Sequence, residues 1–462
     1  MATYQAYAEY KDSGVEWLEV IPSHWTSIAI KFLALDKNSL FLDGDWIESK
    51  DISDSGIRYI TTGNVGTGFY KEQGSGFITE FTFKKLSCSE VYAGDILISR
   101  LNLPIGRACI VPDLNNRIVT SVDNVIFRPD EEYHPKFLVY LFSSKEYFQN
   151  TENIARGATM QRISRGLLGN IRVVMPSKDE QTQIANFLDH ETAKIDHLIE
   201  KQQQLIELLK EKRQAVISHA VTKGLDPNVP MKDSGVEWLG EVPEHWVIPR
   251  LKQLIKYGSS ISYGIVQPGD ALDEGIPFIQ TTNISKGSFE LQDFQKTSVA
   301  IESNYPRSRL EGGEVILGIR ASIGAAFVVP MSFKGVNLSR GIARIIPNAL
   351  LKSDFLVWYF KSNAVDQYWG LSKQGSTFSE VSIETVRELS VVVPPIDEQE
   401  KISEFLSFEL GKLERLISSA ENQKLLLLER RTALISAAVT GKIDVRNWQA
   451  PTVAEAHTEL SA

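Results

Sequence analysis

Two stretches of this chain, residues 179–223 and 397–441, carry the same long apolar stripe, and a stripe of that length written twice leaves few ways to fold. In the first, Ile184, Leu188, Ile195, Leu198, Leu205, Leu209 and Val216 recur on steps of three and four. In the second, Ile402, Leu406, Leu413, Leu416, Ala420, Leu427 and Leu434 do the same. Steps averaging about 3.5 gather apolar side chains into a narrow seam suited to another helix. At 1.5 Å per residue each helix would be roughly 60 Å long, more than a globular core needs. Ser177 with Glu180 forms an expected capping box. Acids crowd the first turn, Lys212 and Arg213 sit late, and Gly224 can end the helix. The second copy has Pro395 in place of the serine, so its start is less marked. One such stripe alone would suit a core helix. Two copies, each polar on its other faces, suit each other, and the expectation is an antiparallel coiled coil.

The helices end the two copies of a longer internal repeat. KDSGVEWLEVIPSHW (Lys11 to Trp25) returns as KDSGVEWLGEVPEHW (Lys232 to Trp246), an offset of 232 − 11 = 221 residues. GIRYITTGNV at Gly56 returns as GIPFIQTTNI at Gly275, and GDILISR at Gly94 is echoed by GEVILGIR at Gly313. GATMQRIS at Gly157 returns as GSTFSEVS at Gly375, an offset of 375 − 157 = 218, and the register then holds through the helix to Thr222 and Thr440. Nothing shorter repeats, which excludes a solenoid. The expected organisation is a first globular domain over residues 1–178, a spacer helix over 179–223, a second domain over 224–396, a second helix over 397–441 and a frayed tail over 442–462.

Within each domain, short apolar runs are separated by Gly, Asn and Asp. GIRYITT, DILISR, ACIVP, NVIFRP and IRVVMP read as strands, as do IPFIQTT, EVILGI, AFVVP, ARIIP and LSVVVP. One helix is expected at PKFLVYLFSSKEYFQN and one at SDFLVWYFKSNAVDQYW. The class is therefore α+β: two mixed α/β, mainly β-sheet domains, without the regular strand–helix alternation of a doubly wound fold.

Composition narrows the function classes. No apolar run approaches twenty residues, and MATYQAYAEYKDSG lacks a basic-then-apolar leader, so a cytoplasmic protein with no membrane partner is expected. Cys88 and Cys109 are the only cysteines and read as reduced structural thiols. The net charge of −9 argues at first against nucleic acid. It is unevenly spread, however. Residues 1–96 hold 8 basic and 14 acidic side chains, whereas residues 97–178 hold 11 and 7, and each long helix holds 6 and 8.

No catalytic constellation is legible. Gly63, Gly66 and Gly68 in GNVGTG resemble a phosphate loop, but no Lys-Ser/Thr follows, and the equivalent TTNISKGS keeps only Gly287, so a hairpin turn is expected. His24 and His245 share a P-x-H-W setting with Trp25 and Trp246, yet no second ligand lies at metal spacing, which favours a structural role and no metal. G-x-S-x-G, H-E-x-x-H and paired carboxylates common to both copies are absent.

What recurs is a class of loop at strand ends. In the first domain it carries Thr61, Thr62, Asn64, Arg100, Asn102, Arg107, Arg156, Thr159, Gln161, Arg162 and Arg165. In the second it carries Gln280, Thr281, Asn283, Lys286, Arg320, Ser322, Lys373, Gln374, Ser376, Thr377 and Ser379. Arg forks fit guanine edges and phosphates, Asn and Gln fit adenine, and hydroxyls with Lys suit the backbone. Ordinary solvated loops have the same composition. The two sets differ in base-reading types on a kept framework, as two copies of one reader with different targets would.

The whole layout resembles the specificity (S) subunit of type I restriction–modification enzymes. The resemblance rests on the paired G-x-x-x-x-x-[IV]-S segments (Gly157 to Ser164, Gly375 to Ser382) and the DEQ-x-x-I-x-x-F-L openings at Asp179 and Asp397. The helix endings AVISHAVTKG and ALISAAVTGK and the W-L-…-P-x-H-W openings complete it. It implies two target-recognition domains, related by a pseudo-two-fold, each reading half of a bipartite asymmetric site in double-stranded DNA, with the helices as spacer. It also implies two DNA methyltransferase subunits, which methylate adenine N6 with S-adenosylmethionine, and restriction/translocase subunits that use ATP and Mg²⁺. Neither N/D-P-P-F/Y nor a Walker loop occurs here, so the chain is expected to be a non-catalytic reader holding no cofactor itself. A two-headed protein scaffold, and an autonomous methyltransferase or nuclease, remain the rival readings.

Overall fold

The computed structural model describes residues 4–74, 76–157, 160–286, 290–372 and 380–450. Internal contacts divide the chain into two units, Met1–Gln202 with Asn422–Ala462, and Gln203–Glu421. The long helices, Lys178–Lys223 and Ile396–Val439, therefore each contribute one half to each unit. Their ends fall within two residues of the sequence expectation.

The two units repeat one strand arrangement. In unit 1 an antiparallel sheet has the order Leu40–Asp43, Asn124–Arg128, Ile96–Ser99, Ala108–Ile110. In unit 2 the order is Ser262–Tyr263, Ile342–Ile345, Val315–Gly318, Ala326–Val328. A second sheet centres on Ile57–Ile60, antiparallel to Gly76–Ile78 and parallel to Ile118–Thr120. Its counterpart centres on Ile276–Ile279, with Gln295–Thr297 and Asn337–Leu338. The unbroken apolar runs have a direct cause. Alternate side chains of a strand point to opposite faces, and both faces here are covered. Ile96 and Ile98 join the core beneath Phe137, Phe142 and Tyr147, while Leu97 between them packs with Ile60 and Ile118.

The helix expected at PKFLVYLFSSKEYFQN is two, Pro135–Leu141 and Lys145–Ile154, and its counterpart is Ser353–Phe360 and Asn363–Ser372. Serines interrupt both. Ser144 Oγ donates back to the Leu141 carbonyl at 2.8 Å and Ser362 Oγ to the Tyr359 carbonyl at 2.7 Å, local bonds that compete with continued helix. The freed amides that open the next helix are then captured by the long helices. Lys145 N donates to Ser436 Oγ at 2.9 Å, and Asn363 N to Ser218 Oγ at 2.8 Å. Each globular part is thus capped by the long helix belonging to the other repeat.

The helices run antiparallel inside both units. In unit 1 Ile184, Ala185, Phe187 and Leu188 share a core with Ile435, Ala438 and Val439, and further along Arg431 forks onto Asp196 at 2.8 and 3.2 Å. In unit 2 Ile217, Ala220 and Val221 meet Ile402 and Leu406, with Arg213 3.3 Å from Glu414. The seam departs from the expected one. Ile184, Leu188, Ile195, Ile402, Leu406, Leu413 and Ala420 are buried, but Leu198, Leu205 and Leu416 are 48%, 44% and 54% exposed. Ile206 and Leu410 are buried instead. A helix turning every 3.6 residues drifts about 20° per heptad against a 3.5 repeat. The buried line therefore steps 11 residues from Ile195 to Ile206 and passes Leu198 and Leu205 by. The capping box is also half formed: Glu180 N donates to Ser177 Oγ at 3.4 Å, while the Glu180 carboxylate points elsewhere.

Candidate nucleic-acid interface

The repeated motifs first build a hub that positions the loops. Glu180 lies at the start of the first long helix with its side chain 5% exposed. It accepts from Tyr7 Oη at 2.7 Å and Trp25 Nε1 at 3.1 Å, and His24 Nε2 lies 2.9 Å away. In unit 2, Glu398 accepts from Trp246 Nε1 at 2.9 Å and lies 2.7 Å from His245 Nε2. The neighbouring glutamines do the stitching. Gln181 receives His134 N and donates to the Pro176 carbonyl; Gln399 receives Lys352 N and donates to the Pro394 and Leu350 carbonyls. The histidines are thus helix–domain hydrogen-bonding groups. Among the described residues no cluster of three His, Cys, Asp or Glu could hold a metal.

In unit 1 the expected loop residues converge at strand ends. Residues 161–163 are sewn to the strand end at Arg100 by Ile163 N to the Arg100 carbonyl (3.1 Å) and by Asn102 N to the Gln161 carbonyl (3.2 Å). Bridges Leu101–Arg162 and Arg156–Arg162 complete the seam. Arg162 is 45% exposed, its Nη2 2.9 Å from Asp123 Oδ1; Arg165 is 39% exposed, its Nε 3.6 Å from Asp43 Oδ2. Arg156 is exposed, and no ion pair of its side chain occurs among the described residues. Together these present three guanidiniums on one patch, two of them oriented by carboxylates, a geometry suited to phosphates and guanine edges.

Other expected readers belong to the framework. Arg100 is 4% exposed. Its Nε pairs with Asp43 Oδ1 at 3.1 Å, Nη1 donates to the Ile163 carbonyl at 3.2 Å, and Nη2 donates to the Val122 carbonyl. Burial, reinforced by Arg162 and Arg165, holds its pKa below the usual guanidinium value, against the pull of Asp43 and Asp123. Arg107 gives five backbone carbonyls their donors (Val65, Leu101, Asn102, Pro104, Thr62) and so ties two loops together. Asn64 is 1% exposed; its amide nitrogen donates to the Lys71 and Gln73 carbonyls, and its oxygen accepts Thr61 N. Arg100 and Asn64 are buried and Arg107 is half-buried, and the hydrogen bonds that all three side chains donate go to the protein's own backbone. Thr61, Thr62, Asn102 and Gln161 stay at the surface or half-buried around the arginines. GNVGTG is a turn: Val65 bridges Tyr70, and Gly66 N donates to the Phe69 carbonyl. A Cβ on Gly66 would stand 2.5 Å from that carbonyl oxygen, which explains the glycine.

Unit 2 keeps the framework and changes the groups. Asn283 Oδ1 accepts Gln280 N at 2.9 Å, as Asn64 accepts Thr61 N. Gln280 Nε2 donates to Gln295 Oε1 at 3.0 Å, and Ser322 Oγ donates to the Thr281 carbonyl at 3.4 Å. Arg320 and Arg340 approach the same Glu380 oxygen at 4.0 and 3.8 Å. Arg320 is not the equivalent of Arg100. Val381 N donates to the Ile319 carbonyl as Ile163 N donates to the Arg100 carbonyl, and Arg320 bridges Glu380 as Leu101 bridges Arg162. Buried Arg100 is therefore matched by buried Ile319, and the echo of GDILISR in GEVILGIR slips by one residue. Thr159, Lys373, Gln374, Ser376, Thr377 and Ser379 lie outside the described residues, as does the side chain of Lys286. Sequence reasoning missed Asp43, Asp123, Arg340 and Glu380, the partners that orient the patch.

Comparison with known proteins gives the same direction. The family model described as type I restriction modification DNA specificity domain matches residues 40–208 and again 243–427. The EcoBI specificity subunit of Escherichia coli is 25% identical over 404 residues, 85% of this chain and 81% of that one. The MjaIX specificity subunit of Methanocaldococcus jannaschii is 23% identical over 464 residues, 96% and 99% of the two chains. A solved chain from work on assembly and conformational transition of the type I R-M system has a TM-score of 0.70 at 17% identity, covering 92% of this chain and 99% of its own. The crystal structure of the HsdS subunit from Thermoanaerobacter tengcongensis has a TM-score of 0.53 at 17% identity, covering 92% and 98%. At such identity these two carry the fold alone. The double match of the family model covers most of the sequence, and the chain belongs to the type I restriction modification DNA specificity domain family, with that domain present twice.

Proposed function

We propose that this chain is the DNA-recognition subunit of a type I restriction–modification complex and catalyses nothing itself. The observation that carries the reading is one framework built twice, with different polar groups at the same strand ends. One copy offers Arg156, Arg162 and Arg165; the other offers Gln280, Thr281, Arg320 and Arg340. Each copy reads one half of a bipartite, asymmetric duplex site, and the paired helices act as the spacer between half-sites. Two methyltransferase subunits carrying S-adenosylmethionine and restriction subunits using ATP and Mg²⁺ assemble on it, the helices with their exposed Leu198, Leu205 and Leu416 offering surface beyond their own contact. The test is binding of the purified chain with its methyltransferase to duplex DNA across a salt series. Phosphate contacts require affinity to fall steeply as salt rises; a salt-independent or absent interaction favours a protein scaffold instead.

A further inference from the structure

The two units differ at one place where their long helices are otherwise in register. In unit 1 Phe187 of the first long helix is fully buried against Tyr4 and Trp448, whose rings stand 5.2 and 5.5 Å away and nearly perpendicular to it. Trp448 also stands 5.5 Å from the His190 ring, and its carbonyl accepts from Gln183 Nε2. Val445 of the same segment is 2% exposed. At the 218-residue offset, Lys401, Phe405 and Phe408 of unit 2 occupy the positions of Gln183, Phe187 and His190. There the rings are more open: Phe405 is 39% exposed with Leu225, at 43%, lining the same cavity, and Phe408 is 63% exposed with the Lys412 ammonium 3.9 Å from its ring centroid.

The chain path explains the difference. Each long helix is followed by the same start, Leu225-Asp226 and Ile443-Asp444. In unit 2 that segment must run on into the strand Met231–Asp233. In unit 1 the equivalent strand, Tyr10–Val15, is entered from the N-terminal segment, and residues 442–448 are released to lie across Phe187. Unit 2 is left with a cavity of about 440 Å³ between Val216, His219, Ala220, Leu225 and Phe405.

We propose that this groove of unit 2 is a docking site for an extended segment of a partner protein bearing a large aromatic side chain, seated as Lys442–Trp448 is seated in unit 1. The ring would close over Phe405 at the cavity and replace the Lys412 ammonium on Phe408, while Lys401, now 3.7 Å from Asp397, would donate to the segment's backbone carbonyl as Gln183 does. The chain's own remainder fits poorly, since residues 451–462 carry no aromatic ring beyond His457. A second copy fits poorly too, because its Trp448 is already seated. The inference does not depend on DNA recognition.

The probe is a fluorescently labelled peptide of sequence IDVRNWQ (residues 443–449) titrated against the full chain by anisotropy. Saturable binding is expected, weakened at least about tenfold by Phe405→Asp, by Phe408→Asp and by Trp448→Ala within the peptide. Both phenylalanines are solvent-facing, and circular dichroism checks that the variants stay folded. Absence of saturable binding, or binding indifferent to both protein variants, overturns the proposal. Binding that appears only after removal of residues 451–462 assigns the groove to the chain's own tail and overturns it equally. So does self-association lost on Phe405→Asp. DNA affinity, measured in parallel on the same variants, tests the proposed function separately.

Discussion

Removing the carboxylate of Glu180 should cost unit 1 about twice what removing that of Glu398 costs unit 2. Glu180 serves two donors with no other outlet, Trp25 Nε1 (0% exposed) and Tyr7 Oη (5% exposed), while His24 is 43% exposed and can turn to water. Glu398 serves one such donor, Trp246 Nε1, and its second partner His245 is 42% exposed. Hydrogen bonds to a charged group contribute about 1.5–3 kcal/mol each, and a buried donor left unpaired carries its own desolvation penalty. Glu180→Ala is then expected to destabilise its unit by ~3–6 kcal/mol and Glu398→Ala by ~1.5–3 kcal/mol. Because the chain has two units, a single unfolding midpoint would mix them. Hydrogen–deuterium exchange read by mass spectrometry, on peptides spanning Trp25 and Trp246, separates the effects. Equal loss of protection in the two variants, or a larger loss from Glu398→Ala, would refute the reasoning.

Arg100→Ala breaks a buried ion pair and should lower the stability of unit 1 by ~3–5 kcal/mol, whereas Arg320→Ala, on a part-exposed side chain, should leave thermal unfolding within ~0.5 kcal/mol. Differential scanning fluorimetry distinguishes them; matched melting curves count against the assignment of Arg100 to the framework. Arg162→Ala should weaken DNA binding by ~1–3 kcal/mol and relax one position if it reads a base, or flatten the salt slope by about 1 if it holds a phosphate. Unchanged affinity, slope and site preference remove it from the interface. Gly441→Ala places a Cβ 2.3 Å from Pro22 Cδ, whereas at Gly224 the nearest atom is Trp246 Cζ2 at 3.3 Å. Both are left-handed (φ +75° and +80°), so both should destabilise, Gly441→Ala more; exchange in the two hubs measures the order. Burial pushes the Cys88 thiol up to about 11 and Cys109 up to about 12, so neither should react with a thiol reagent at neutral pH until the chain unfolds.

The repeat, both long helices and the strands on apolar runs, such as Ile96–Ser99 and Val315–Gly318, were legible because each rests on a local pattern that tertiary packing reinforces. The sheet's covered faces, for example, demand the unbroken run Ile96-Leu97-Ile98. LSVVVP, expected as a strand, makes only isolated bridges at Ser390 and Val393, and short pairs such as Tyr10–Val15 with Leu18–Pro22 were not read from sequence. What escaped depends on three-dimensional partners. Arg100 and Arg320 look interchangeable in sequence, yet the one-residue slip buries the first beside Asp43 and leaves the second near Glu380. Ser144 reads as an ordinary helix residue until Ser436, 292 residues later, takes the amide next to it. The shared Asp-Glu-Gln opening was recognisable as a signature, but its meaning required seeing Trp25 and Trp246 aim at the glutamates. Leu198 and Leu205 were placed in the seam because a strict heptad ignores the drift of a 3.6-residue turn. In the candidate site, residue types were readable while their orientation, set by Asp123, Asp43 and Glu380, was not.

The most direct test is a genome-wide map of adenine methylation in cells expressing this chain with its methyltransferase, alongside Arg162→Ala. The account predicts one bipartite motif with two unlike half-sites and a fixed unread gap, and relaxation confined to a single half-site in the variant. A continuous motif, two identical half-sites, or relaxation spread over both halves would contradict two separate readers on one frame.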